Sequence, residues 1–87
     1  MPEIELKLFL LRYNILSRER AKTAEICSHT CDYGKWADCI AEMKKMEDDL
    51  RKHGYEFAHA GFKTVDELQY SVYKIVLTND YGFTSNA

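Results

Sequence analysis

Arg12-Tyr13-Asn14 interrupts an otherwise apolar run with groups suited to recognition chemistry. Tyr offers a flat face for stacking a base, Asn an amide that reads a base edge, and Arg a charge for phosphate. A second set stands at Asp32-Tyr33-Gly34-Lys35, the predicted head of a helix. Gly34 admits close backbone approach, the helix start presents free N–H groups and a positive dipole, and Lys35 adds charge. Together the two sets hold the groups a nucleotide site needs. The competing reading packs or hydrogen-bonds Tyr13 and Asn14 at a subunit interface and leaves Lys35 solvated. Sequence alone leaves both standing.

Cys27-Ser-His29-Thr-Cys31, with Cys39 beyond, has the residue types of a zinc site. Zinc needs about four ligands converging tetrahedrally. On a helix Cys27 and Cys31 share a face while His29 points elsewhere, so the reading is small, buried or half-buried hydrophobes. Glu47-Asp48-Asp49 is a charge run on a helix exterior, which is a solvated face. No nucleophile motif, glycine-rich phosphate loop or HExxH is present, and a non-enzyme without cofactor is expected.

The elements that must position these groups are predicted to be helices. Ile4, Leu8, Leu11 and Ile15 recur at four-three-four spacing along one helical stripe. Leu6, Phe9, Leu10, Tyr13 and Leu16 fill the neighbouring faces. Pro2 suits a first helical turn, and Arg18 to Ala24 are mostly good helix formers. A first helix is therefore expected over residues 3–30, roughly 40 Å long at 1.5 Å per residue. Alternation of Ile4, Leu6, Leu8 and Leu10 would also fit a strand, but the run is leucine-rich rather than β-branched. Asp32 can cap a second helix over 33–53, with Trp36, Ile40, Met43 and Leu50 as its core stripe, Cys39 and Met46 alongside, and Gly54 as its stop.

Residues 53–63 read as an irregular aromatic connection containing His53, Tyr55, His59 and Phe62. Thr64-Val-Asp-Glu67 has the form of a capping box opening a third helix over 65–78, with Val65, Leu68, Val72, Ile75 and Val76 inward. The β-branched run from Tyr70 to Leu77 leaves a strand open as the alternative. Residues 80–87 are expected to form a turn and a frayed tail. The expected fold is thus mainly α, a small three-helix domain with a long first helix; the alternative is α+β with N- and C-terminal strands.

The 87 residues make one domain, 1–87. A chain of this size buries roughly 60–65% of its unfolded surface, so its stability is marginal unless something adds to it. A first helix apolar on several faces exceeds what two other helices cover, and self-association into a homo-oligomer is expected. A net charge of −2, with 12 basic and 14 acidic residues intermingled, argues against duplex nucleic acid. The acidic opening Met-Pro-Glu-Ile-Glu lacks a signal's basic start, and no run reaches the ~18–20 apolar residues of a membrane span. Three cysteines, read as free thiols, fit a reducing cytosol and hence a cytoplasmic location.

On size, helix layout and Tyr13-Asn14, the chain resembles the small phage-encoded anti-CBASS proteins that sequester cyclic oligonucleotides. The resemblance implies an all-helical homo-oligomer in the host cytosol, holding cyclic di- or trinucleotides between protomers. It further implies that Tyr13-Asn14 is the ligand-facing pair on the first helix and that a partner chain supplies a lysine, Lys35 or else Lys22. The function it implies is non-enzymatic sequestration of second messengers, antagonising antiphage signalling. The runner-up is a protein-binding inhibitor of a host defence complex, comparable to an anti-CRISPR. A regulatory domain built on the cysteines is the third.

Overall fold

The N-terminal run is helix, not strand. The computed structural model describes residues 2–30 and 33–78, the side chains at 27, 28 and 30 excepted. Helix α1 spans Glu3–Thr30 and helix α2 spans Gly34–Lys52. Leucine, glutamate and arginine recur through α1, and side chains unbranched at Cβ lose little freedom in a helix. Acidic Glu3 and Glu5 lie in its first turn, where they complement the helix dipole. Helix α2 stops as the sequence implies: Gly54 takes φ +85°, and the His53 and Gly54 amides bond back to the Leu50 and Arg51 carbonyls. The expected Asp32 cap and the tail over 79–87 lie outside the described residues.

The predicted third helix is corrected. Residues 55–77 form an antiparallel hairpin of β1, Tyr55–Val65, and β2, Leu68–Leu77. The fold of the described residues is therefore α+β with one two-stranded sheet, and the alternative of a C-terminal strand holds while that of an N-terminal strand does not. The stretch expected to be irregular is strand β1. Thr64 is no capping residue: it pairs with Gln69 across the ladder. Asp66 and Glu67, at φ 52° and 68°, make the two-residue turn, since a tight hairpin following right-handed strand twist needs positive φ at both positions. Tyr, Val and Ile dominate β2, and branched or aromatic side chains fit a pleated surface better than a helix. Between His59↔Tyr73 and Gly61↔Val72 the register slips by one, so Ala60 is the extra residue of a bulge and Gly61 beside it takes φ +122°.

Helix α1 packs on α2 and β2, while α2 packs on β1. Tyr13, Leu16, Met43 and Met46 form the core cluster, joined by Phe9, Phe57 and Tyr73, and Leu50 is fully buried. Of the expected α2 stripe, Met43, Met46 and Leu50 are buried; Trp36, Cys39 and Ile40 are half-buried. With a hairpin in place of a helix, the core is aromatic and thioether-rich rather than built from Val65, Leu68, Val72, Ile75 and Val76.

Candidate functional site

Of Arg12-Tyr13-Asn14, Tyr13 is buried, Asn14 is half-buried and Arg12 is exposed. Tyr13 is 4% exposed. Its ring lies parallel to Phe57 at a centroid distance of 3.7 Å, and Tyr73 meets it edge-on at 4.9 Å. Its hydroxyl donates to Glu47 Oε2 at 2.7 Å. Burial, then the hydrogen bond to Glu47 and that residue's charge, push the phenol well above its usual range. Tyr13 is thus a fixed proton donor within the core.

Asn14 bonds with both ends of its carboxamide to one residue of β2. Nδ2 donates to the Tyr73 carbonyl at 3.2 Å, and the Tyr73 amide donates to Oδ1 at 2.8 Å. One turn on, the hydroxyl of buried Ser17 donates to the Ser71 carbonyl at 2.6 Å. These groups meet the edge of β2 much as a neighbouring strand's peptide groups would, and they cover an edge that is otherwise open to pairing. Arg12 points outward, its Nη2 2.6 Å from Glu42 Oε1; both side chains are about half exposed, so water weakens the pair.

At the head of α2, Tyr33 is 55% exposed and touches Trp36 edge-on at 6.3 Å. Gly34 and Lys35 are exposed. Within one chain this set does not join the first. Arg12 stands opposite Glu42, and Lys35 lies roughly 10 Å along the axis from Glu42 at about 1.5 Å per residue. Lys22 is exposed and shares a depression of about 200 Å³ with Arg18, Glu25 and the hairpin turn. The Cys39 thiol, half-buried, is pushed up by burial and by Glu19, Glu42 and Asp38, which opposes thiolate formation. His29 is exposed, while Cys31 and the Cys27 side chain lie outside the described set. Among the described residues no three His, Cys, Asp or Glu side chains group to hold a metal ion. His59 stands on β1 against Phe62 and Tyr73, as aromatic packing.

The outward side of α1 is the larger feature. Ile4, Leu8, Leu11 and Ile15 are 69%, 60%, 58% and 46% exposed, in a continuous row. Two grooves flank the row. One, of about 470 Å³ between α1 and α2, is lined by Glu5, Leu8, Phe9, Arg12, Glu42 and Met46. The other, of about 400 Å³ between α1 and β2, takes Leu11, Asn14, Ile15 and Arg18 from the helix and Lys63, Tyr70 and Val72 from the hairpin. As groove residues these three escaped the sequence reading, because they meet α1 only once strands replace the third helix. The β-branched and aromatic enrichment from Tyr70 to Val76 was the signal that could have found them. No helix among the described residues is long and apolar enough to cross a membrane.

No protein-family model matches the chain, and neither a curated protein nor a solved structure matches it.

Proposed function

We propose that this chain acts without catalysis, by protein contact through the outward stripe of α1. The observation that carries the reading is the unbroken exposed row Ile4, Leu8, Leu11 and Ile15. Large aliphatic side chains in one row are costly to leave in water, at about 25 cal/mol for each Å² of apolar surface. Contiguous apolar patches with a charged rim mark places where another protein docks, and i, i+4, i+7 anchors are how a helix face is read. Glu5, Lys7 and Arg12 supply that rim. The test is photocrosslinking in the cell that expresses the chain, with a benzophenone side chain at position 8 or 11 and a control at exposed position 45. Discrete adducts from 8 and 11, missing from 45, are expected. The same smear from all three, or nothing from 8 and 11, would end the reading.

A second reading keeps a small anionic ligand, of the cyclic oligonucleotide class, and moves it to the groove between α1 and β2. Arg18 and Lys63 line that groove beside the Tyr70 ring, and neither cation has an ion pair among the described residues. They offer charge for phosphate and a ring for stacking. Calorimetric titration with cyclic di- and trinucleotides should then show binding that Lys63→Ala and Tyr70→Ala both weaken. Absence of heat with every ligand would remove it.

A further inference from the structure

We propose that the occupant of the α1 stripe is a second copy of this chain, laid antiparallel; this rests on the protein-contact reading and names its partner. The stripe is symmetric about the point between Phe9 and Leu10. An antiparallel copy sets Ile4 against the partner's Ile15 and Leu8 against the partner's Leu11, and the two-fold axis repeats both contacts. Every exposed anchor in this stretch thereby meets an apolar counterpart. The four-three-four spacing is the seam of a short coiled coil, and the grooves on either side receive the ridge of the facing helix.

Charge selects this direction over the parallel one. Glu5 and Arg12 lie two turns apart on one flank of the stripe, and Lys7 and Asn14 on the other. Antiparallel pairing brings Glu5 to the partner's Arg12, twice, and joins it to the acid–base contact Arg12 already makes with Glu42 at 2.6 Å. Lys7 then lies beside the partner's Asn14, a neutral side chain whose carboxamide is held on its own Tyr73 backbone. Parallel, in-register pairing instead sets Lys7 against the partner's Arg12. It also stacks Arg18 and Lys22, which continue the stripe, each against its own copy. In the antiparallel register those two cations fall beyond the start of the partner's helix, since α1 begins at Glu3. Opposite charges across a seam fix orientation, and like charges there exclude the wrong one.

The experiment is charge exchange read by sedimentation equilibrium, with far-UV circular dichroism showing that each variant stays folded. Glu5→Arg and Arg12→Glu should each weaken dimerisation by roughly tenfold, because two attractive pairs become two repulsive ones. The double variant Glu5→Arg/Arg12→Glu should recover to within a few-fold of the original. Tighter association of Arg12→Glu alone would mean a parallel pair, and a double variant as weak as the singles would mean no such contact; either overturns the proposal. A purified chain that stays monomeric while positions 8 and 11 crosslink to other proteins also overturns it, and leaves the protein-contact reading intact.

Discussion

Asn14 and Tyr13 show how a residue type can be read correctly and its target missed. An amide able to read a base edge is equally able to read a strand edge, and here it binds Tyr73 of the chain's own β2. A ring able to stack on a base stacks on Phe57. Sequence displayed the donors, acceptors and rings but not the hairpin that takes them up, since the partners lie far along the chain. Asn14→Leu should cost about 1–3 kcal/mol, because it leaves the Tyr73 amide and carbonyl of an edge strand unmatched; urea unfolding measures it. Tyr13→Phe keeps the stacked ring and loses only the donor to Glu47, an expected cost of about 1 kcal/mol. The two proteins should also differ in alkali. The folded state raises the Tyr13 phenol, so the native chain holds its proton more tightly than the unfolded chain does. That contribution is complete below the unfolded phenol's range near ~10 and is lost as pH rises above it. The wild type should therefore lose stability more steeply than Tyr13→Phe above that range, and parallel curves would show that Tyr13 is not the group responsible.

At the scale of elements, α1, α2 and the Gly54 stop were legible because helix propensity and glycine caps act locally. The hairpin was not, because Thr64-Val-Asp-Glu67 carries the letters of a capping box and Leu68, Val72, Ile75 and Val76 share one helical face, whereas a strand puts Ile75 opposite the other three. The choice was made by long-range pairing: β1 supplies β2 with a ladder, and α1 and α2 cover the pair. The cost of that choice sits in the turn, where Asp66 and Glu67 adopt positive φ without being glycine. Asp66→Asn/Glu67→Gly supplies the residues a two-residue turn favours and should raise stability by about 0.5–1 kcal/mol. The same pair of changes in a capped helix would remove the box and place glycine in its first turn. A lowered urea midpoint would therefore speak for the helix, and a raised one speaks for the hairpin.

On the scale of the whole molecule, the surplus of apolar surface on α1 was visible in the sequence, but which residues carried it was not. Phe9 and Leu10 are as bulky as the stripe residues and adjoin them, yet Phe9 packs on the core cluster and Leu10 is half-buried. A charge at Phe9 should unfold the chain, since it forces an unpaired carboxylate into the packing. The outward positions are Leu8 and Leu11, and charges there leave the monomer intact because water already reaches both side chains. Sedimentation equilibrium of the wild type beside Leu8→Glu/Leu11→Glu, across concentrations from micromolar upward, therefore tests the contact surface most directly. The wild type should approach twice the 10.2 kDa chain mass, and the double variant should stay at 10.2 kDa with unchanged helix and strand content. A wild type that holds the single-chain mass at every concentration, or a folded variant that keeps the doubled mass, would contradict it.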